Sequence, residues 1–290
     1  MMLVEPVDPR DATEVSAYLA RAMQPPRPER YWMRLFRPDS GRPAGPHGFK
    51  LTGDAGGVVG FIGTIRTGIP QGDGTFLRLV NLSTFVVDEA YRALAPFLLK
   101  RALGHEADVV TDLTANEEVF EILKRLKFQP LGAGRYFAPT PAFASPIRLA
   151  GGVRREADFG AAHRRLFPDL PLPLGLERLS FETLCVADRG LVAWAPRTKF
   201  GLRFAEILYV RQGPEPIDDL LGRIATHLLA RRGALLLRYD PAIHGLPTGR
   251  FIRRHRPRTH PLVLGKVSQS VWFYLCSELS ILNDYYNKGD

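Results

Sequence analysis

Two polar side chains stand beside the ends of two neighbouring predicted strands, where they are well placed to bind a ligand. Arg92 lies where a predicted strand, Asn81–Val87, gives way to a predicted helix, Ala90–Leu103. A strand that ends in a tight turn before a helix points free backbone N–H groups at one place, and such a place binds phosphate. Asn116 follows the next predicted strand, Val109–Leu113. The sequence therefore predicts a phosphate-binding turn at Arg92.

The elements around this turn follow from the spacing of apolar side chains. Apolar residues recur at helical spacing over Glu117–Leu126, which predicts a helix after Asn116. Upstream, Phe49–Arg66 has the pattern of a β-hairpin, and its turn carries two glycines. An earlier helix has Asp11 or Thr13 as its cap. The predicted order is helix, hairpin, long loop, strand, helix, strand, helix.

This order resembles the GNAT superfamily of acyl-CoA N-acyltransferases. In that family the strand-turn-helix carries the pattern Arg/Gln-x-x-Gly-x-Gly/Ala, whose amides cradle the CoA pyrophosphate. Here Arg92, Ala95 and Phe97 stand at the matching positions, with Ala93 where glycine is also common. The glycines of the pattern are absent, and Pro96 removes one N–H donor.

A second family signature consists of an asparagine, a short helix and Gly-Phe. Asn116 and Phe128 match it, while Lys127 stands where glycine is usual. The tyrosine that often acts as general acid in the family would fall at Leu123, which has no proton to give. The resemblance covers roughly Met2–Pro139, about half of the chain.

The resemblance implies an α/β (α+β) fold with a mixed sheet flanked by helices, and acyl transfer from acetyl-CoA without a metal. It places the main chain of Asn81–Val87 beside the pantetheine arm and the amides of the bend Val87–Ala95 around the diphosphate. Arg92 either contacts a phosphate or is an exposed first-turn residue. Asn116 hydrogen-bonds the pantetheine or caps its helix, and both roles are compatible. The implied cofactor-binding residues are Phe85, Val86, Val87, Arg92, Ala93, Ala95 and Asn116.

Acyl transfer to an amine needs a base for the ammonium and a proton donor for the departing thiolate. Asp112, on the second predicted parallel strand, is the candidate base, directly or through water; its alternative role is a turn or cap residue. Tyr136 is the candidate donor, and its alternative role is a half-buried strand aromatic. Asn81 and Ser83 are candidate substrate-binding residues on the first of these strands.

The net charge of +9 is concentrated in the segment Gly249–His260, which contains five arginines and no acid. Such a segment offers an anion-binding surface for a phosphate-rich ligand, a nucleotide-linked sugar or RNA. Arg253 and Arg254 are therefore candidate contacts for an anionic acceptor. The alternative is a solvated basic loop. A metal site at His255 and His260 is not expected, because the neighbouring arginines repel cations.

The second half of the chain repeats the pattern of the first. A predicted hairpin over Thr183–Ala195 is followed by a strand, a helix over Pro216–Arg231 and another strand. Phe204–Asp240 overlays on Val80–Asp112 element by element, which predicts two GNAT-like halves in tandem, residues 1–139 and 140–290. An unrelated α/β domain with the same common unit is the alternative. Acidic residues in the first turn of the second helix repel phosphate, so the first half is the one expected to bind CoA.

Composition limits the class of protein. No apolar run reaches the roughly 20 residues of a membrane helix, and the N-terminus lacks the order of a secretory signal. Cys185 and Cys276 have no metal spacing and are expected to be reduced in a cytoplasmic protein. The leading hypothesis is a GNAT-type N-acetyltransferase. The alternatives are a non-catalytic ligand-binding protein of the same fold and a Fem-like transferase that uses aminoacyl-tRNA.

Overall fold

The computed structural model divides the chain into two units, residues 1–131 with 259–290 and residues 132–258. The division follows the sheets, because each unit contains one sheet of seven strands. The residues that the structure describes are 3–24, 26–36, 45–70, 75–104, 107–112, 115–130, 135–144, 152–170, 172, 181–187, 190–199, 201–212, 217–239, 253–255 and 262–265.

The first unit contains these elements in chain order: β1 (Leu3–Val7), α1 (Ala12–Ala22), α2 (Glu29–Trp32), β2 (Gly48–Thr52), β3 (Val58–Pro70), β4 (Phe76–Val87), α3 (Ala95–Leu103), β5 (Val109–Asp112), α4 (Glu117–Arg125) and β6 (Gln129–Pro130). Its 3-10 helices span Pro9–Asp11, Met33–Phe36 and Glu89–Leu94.

The second unit contains β7 (Arg135–Pro139), a 3-10 helix (Thr140–Ala142), β8 (Val153–Glu156), α5 (Phe159–Leu166), β9 (Glu182–Val186), β10 (Gly190–Lys199), β11 (Leu202–Gln212), α6 (Ile217–Arg232), β12 (Leu236–Tyr239) and β13 (Arg253–His255). The chain then contributes β14 (Leu262–Leu264) to the sheet of the first unit.

The sheet of the first unit has the order β1-β2-β3-β4-β5-β14-β6. Its only parallel pair among the described strands is β4 with β5, and its other neighbours run antiparallel. On one face, Leu98 and Leu99 of α3 share a buried cluster with Leu82 of β4. On the other face, Val15 and Leu19 of α1 lie in a separate buried cluster. A mixed sheet with helices on both faces results, as predicted.

The second sheet, β13-β7-β12-β11-β10-β9-β8, repeats the central arrangement of the first. β11 and β12 are parallel, α6 connects them, and β7 lies antiparallel beside β12. The helix contributes Leu221, Ile224 and Leu228 to a core that also contains Trp194 and Tyr239. The element-by-element overlay of the two halves is therefore present in the structure.

Three boundaries differ from those read in the sequence. The chain passes to the second unit after Leu131 rather than after Pro139, because β7 pairs with β12 and β13. The predicted helix Ala90–Leu103 begins as a 3-10 helix, and its α-helical part starts at Ala95, next to Pro96, which suits a first helical turn. The sequence pattern of Arg154–Leu166 also predicts a helix, yet α5 starts at Phe159 after the strand β8.

Candidate functional site

The two parallel strands of the first unit part at their carboxyl ends. β4 and β5 are in register from Leu79 opposite Val109 to Leu82 opposite Asp112. β5 ends there, but β4 continues to Val87. From Ser83 onwards, the edge of β4 that faced β5 has no strand partner among the described residues. Its backbone N–H and C=O groups can therefore pair with an extended ligand.

A β-bulge marks the place where β4 leaves β5. Phe61 is opposite Val86 and Gly63 is opposite Ser83, so β4 has one residue more than β3 in this interval. Thr84, within the bulge, has a φ of 55°, a rare conformation for a β-branched residue. A Cβ atom at Gly63 of β3 would lie 3.0 Å from the carbonyl oxygen of Ser83, so β3 depends on glycine at this position. A bulge bends its strand, and this bulge lies where the edge of β4 that faced β5 becomes free.

A cleft of about 710 Å³ opens beside this free edge, between α3 and α4. Six of the seven residues predicted to bind the cofactor line the cleft, and Ala93 does not. The lining residues are Phe85, Val86, Val87, Arg92, Ala95, Pro96, Leu99, Lys100, Leu103, Asn116, Glu118, Val119, Ile122, Arg125 and Leu126. Residues that are far apart in the sequence are thus brought to one cavity.

The lining combines apolar walls with cationic groups. Leucine, valine and isoleucine side chains of α3 and α4 form most of the walls. Arg92, Lys100 and Arg125 supply three cations, and Glu118 supplies the one carboxylate of the lining. A ligand that suits this cavity has a long, mostly uncharged part and an anionic part. Lys100 and Arg125 were not predicted as site residues from the sequence. Lys100 could have been, because it follows Pro96 by four residues and so lies on the same face of the helix.

The backbone amides of the bend are less available to a phosphate than the sequence suggested. The N–H of Asp88 donates to the carbonyl of Val59 at 2.8 Å, and that of Tyr91 donates to the carbonyl of Asp88 at 2.9 Å. The N–H of Ala95 donates to the carbonyl of Arg92. These three amides are therefore used within the protein, and the binding of a diphosphate by amides of the bend stays a prediction. Side-chain cations provide the positive charge of the cleft.

The start of this bend is held in place by a buried tyrosine of α1. The hydroxyl of Tyr18 lies 3.0 Å from the carbonyl oxygen of Val59 and 3.1 Å from Oδ1 of Asp88. Burial raises the pKa of Tyr18 above its usual range, and the neighbouring carboxylate of Asp88 adds to the effect. The neutral hydroxyl thus joins α1 to β3 and to Asp88, near the start of the bend.

Asn116 caps α4. Its side-chain oxygen accepts a hydrogen bond from the N–H of Val119 at 2.9 Å, while the residue lies on the wall of the cleft. The capping role read in the sequence is confirmed. The contact with a cofactor stays a prediction.

Substitution of Asn116 separates these two roles. Asn116→Ala is expected to lower the free energy of unfolding by about 1 kcal/mol, because the cap is lost, whereas Asn116→Ser retains a capping oxygen and most of the stability. Chemical denaturation measures both variants. If Asn116 only caps, acetyl-CoA affinity stays unchanged in the serine variant; a fall in affinity without a fall in stability would show direct contact with the ligand. Equal stability of the alanine variant and the wild type would contradict the capping role.

The candidate catalytic and substrate residues of the first unit lie at the parting of the strands. Asp112 ends β5, is buried, and is opposite Leu82 on one side and Leu262 on the other. Asn81 and Ser83 are also buried, and Oδ1 of Asn81 has no hydrogen-bond partner within the described part of the chain. None of the three is among the residues that line the cleft. Their proposed roles stay predictions.

Two further predictions fall in the second unit. Tyr136 lies on β7 opposite Tyr239 of β12, and it does not line the cleft between α3 and α4. Arg253 and Arg254 lie on β13, whose backbone pairs with β7. The side chains of these arginines are outside the described part of the structure. Residues 249–252 and 256–260 of the basic segment also lie outside it. The roles of all three residues stay predictions.

The family position of the general acid is occupied by a core residue. Leu123 of α4 is 1% exposed and belongs to the buried cluster that contains Leu82 and Leu98. Its side chain packs under the helix and offers no proton. The departure from the family pattern is therefore also structural, because this position contributes to the core.

Comparison with known proteins gives structural matches only. No protein-family model matches the sequence, and no curated protein matches it significantly. A GCN5-related N-acetyltransferase from Anabaena variabilis ATCC 29413 superposes with a TM-score of 0.62 at 10% identity, covering 91% of this chain and 72% of its own. A second from Kribbella flavida gives a TM-score of 0.59 at 15% identity, covering 91% and 70%. A probable N-acyltransferase from Enterococcus faecalis V583 gives 0.62 at 10% identity, covering 94% and 74%.

The chain has the GNAT fold. The matches extend over more than nine tenths of its length, so they include elements of both sheets. The strand-turn-helix at Arg92, which suggested the fold from the sequence, is thus part of a GNAT-like architecture.

Two absences hold for the described residues of this GNAT-fold chain. None of its helices there combines the length and hydropathy that crossing a membrane requires. The same residues contain no group of three or more histidine, cysteine, aspartate or glutamate side chains arranged to hold a metal ion.

Proposed function

We propose that this protein is an acyl-CoA-dependent N-acyltransferase and that acetyl-CoA is its donor. One observation supports the proposal above the others, namely the cleft that adjoins the unpaired edge of β4 and carries three cationic side chains. Acyl-CoA has the matching features: an extended amide-containing arm, a thioester at one end and phosphates at the other. The fold of the structural neighbours is consistent with this ligand.

In the proposed complex, the pantetheine arm lies along Ser83–Val87 and pairs with the free backbone groups of β4. The phosphates lie near Arg92, Lys100 and Arg125, whose charges favour them. The apolar walls formed by α3 and α4 cover the uncharged part of the arm. The thioester then lies towards the bulge at Thr84, where the strands part.

The reaction forms a C–N bond and an S–H bond, and it breaks a C–S bond and an N–H bond. The amine nitrogen of the acceptor bonds to the thioester carbonyl carbon, and the C–S bond breaks to give an amide and CoA. One proton leaves the amine, and one proton reaches the sulfur. We assign the first proton to Asp112, directly or through a water molecule, because it is the carboxylate at the end of β5. The acceptor is proposed to carry an anionic group, which the arginines of residues 249–260 would favour.

Two assays test the proposal in sequence. Calorimetric titration with acetyl-CoA is expected to give saturable binding and a rise in the thermal midpoint, since a ligand of the native state stabilises it. Release of free thiol from acetyl-CoA is then measured with a panel of amines, with and without anionic groups. No heat and no thermal shift at millimolar acetyl-CoA would exclude the proposed donor.

A non-catalytic acyl-CoA-binding protein is the second candidate, and one observation favours it. The ionisable side chains of the cleft lining are Arg92, Lys100, Glu118 and Arg125, and Leu123 occupies the family position of the general acid. The assays separate the two candidates. Saturable binding of acetyl-CoA without thiol release for any amine would favour the non-catalytic protein.

A further inference from the structure

A second cleft, of about 370 Å³, lies in the second unit at the C-terminal end of α6. Four arginines line it, Arg197, Arg203, Arg231 and Arg232, together with one acid, Glu182. It adjoins the start of β11, whereas the larger cleft of the first unit lies beyond the end of β4. The two clefts are therefore not counterparts. A volume near the lower end of the range for ligand pockets suits a small molecule.

The acids near this cleft do not balance its arginines. Glu182 pairs with Arg232 and also lies 3.9 Å from Arg155. Arg203 and Arg231 form no ion pair with any described residue. Burial lowers the pKa of His227 on the same helix, and the charges of Arg231 and Arg232 lower it further. Two guanidinium groups near the end of α6 thus have no carboxylate partner among the described residues.

Arg197 lies beside a carboxylate that a second arginine also contacts. Oε2 of Glu206 lies 3.0 Å from Nε of Arg197, while Oε1 of the same carboxylate lies 3.5 Å from Nε of Arg238. One acid is therefore shared by two arginines. The wall of the cleft also contains Trp194, whose Nε1–H is buried and has no acceptor among the described residues. The buried N–H of Trp194 therefore remains able to donate a hydrogen bond to a ligand oxygen in the cleft.

The first unit has an arginine at the position that corresponds to Arg203, and the start of the parallel strand pair identifies it. The N–H of Asp108 donates to the carbonyl of Arg78 at 2.9 Å, just before the parallel pairing of β4 with β5. The N–H of Leu235 donates in the same way to the carbonyl of Arg203 at 3.0 Å, just before the pairing of β11 with β12. Arg203 is thus the counterpart of Arg78, and Leu235 is the counterpart of Asp108.

The two positions differ in charge. The carboxylate of Asp108 lies 3.2 Å from Nη2 and 3.3 Å from Nε of Arg78, and hydrogen bonds from Arg78 lower the pKa of Asp108. Leu235 is 48% exposed and provides no carboxylate to Arg203. The second unit retains the arginine of this pair, adds Arg231 and Arg232 beside it, and lacks the acid.

We propose that this cleft binds a small anion through a phosphate group, whose oxygens take the place that the Asp108 carboxylate fills in the first unit. The planar guanidinium group binds phosphate through two parallel N–H···O bonds, and Arg203 and Arg231 are the cations without an internal partner among the described residues. The ligand is either free phosphate or a small organic phosphate monoester. This site is separate from the proposed acyl-CoA cleft and does not depend on it.

The test uses the full chain, with inorganic phosphate and ribose 5-phosphate as probes in calorimetric titrations. Wild-type protein is expected to bind at least one probe, and tighter binding of the sugar phosphate would identify the ligand as a monoester. Leu235→Asp supplies the missing acid next to Arg203 and is expected to weaken binding about tenfold or more, as is Arg203→Gln. Leu3→Asp, at a leucine of the first unit that is 45% exposed, is the matched control and should bind as wild type does.

Two results would overturn the proposal. One is the absence of binding of both probes at millimolar concentrations, and the other is equal affinity in wild type, Leu235→Asp and Arg203→Gln. If Leu235→Asp does not fold, the glutamine variant decides. Acetyl-CoA affinity should be the same in all of these variants, so failure of this site is distinguishable from failure of the proposed acyltransferase function.

Discussion

Ala95→Trp is expected to lower the affinity for acetyl-CoA at least about a hundredfold, or roughly 2.7 kcal/mol. Ala95 is the first residue of α3, is partly exposed, and lines the cleft between α3 and α4. An indole side chain there occupies space that the proposed ligand needs. It projects into the cavity rather than into the core, so the thermal midpoint of the free protein should change little. Calorimetric titration with acetyl-CoA measures the loss.

Ala93→Trp is the matched control for this substitution. Ala93 lies two residues earlier in the same bend and is exposed, but it does not line the cleft. The family resemblance implied a cofactor-binding role for both alanines, whereas only Ala95 lines the cleft. We therefore expect Ala93→Trp to bind acetyl-CoA as wild type does. An equal loss of affinity in both variants, or no loss in either, would contradict the position of the site.

Arg92→Glu is expected to weaken acetyl-CoA binding by about 1–3 kcal/mol, the scale of a charge-assisted hydrogen bond. Arg92 is exposed in the last turn of the 3-10 helix and lines the cleft. Because the amides of Asp88, Tyr91 and Ala95 donate to backbone carbonyls, we expect phosphate binding to depend more on side-chain charge than the family pattern implies. Titrations at several salt concentrations should also show a weaker salt dependence in the variant.

Arg101→Glu introduces the same change of charge on α3 without touching the cleft. Arg101 is exposed and is not among the lining residues. Its replacement should alter acetyl-CoA affinity by far less than the replacement of Arg92. If the two variants lose the same affinity, general electrostatic attraction rather than a contact at Arg92 explains the effect. If neither loses affinity, Arg92 points to solvent in the complex.

Much of the local structure could be predicted because it depends on residues close together in the sequence. Apolar spacing predicted α4 and α6 to within one or two residues, and Asn116 was recognised as a cap because a side-chain oxygen before a helix suits that role. The repeated strand-helix-strand unit was visible for the same reason. Six of the residues that line the cleft beside β4 also followed from this unit.

Features that depend on distant parts of the chain could not be predicted. Alternation of side chains identifies a strand but not its partner, so nothing in the sequence showed that β14 enters the first sheet between β5 and β6, or that β7 pairs in the second. The bulge at Thr84 had no local signal, since threonine rarely adopts a positive φ. Lys100 and Arg125 look like ordinary surface charges until α3 and α4 place them on one cavity.

The central claim is that acyl-CoA binds in the cleft between α3 and α4. A crystal structure of the full chain soaked with CoA tests it most directly. We expect the pantetheine arm to lie along Ser83–Val87, and the phosphates to lie within hydrogen-bonding distance of Arg92, Lys100 or Arg125. CoA bound elsewhere in the molecule, or an unoccupied cleft at saturating CoA in crystals that leave its mouth open, would contradict it.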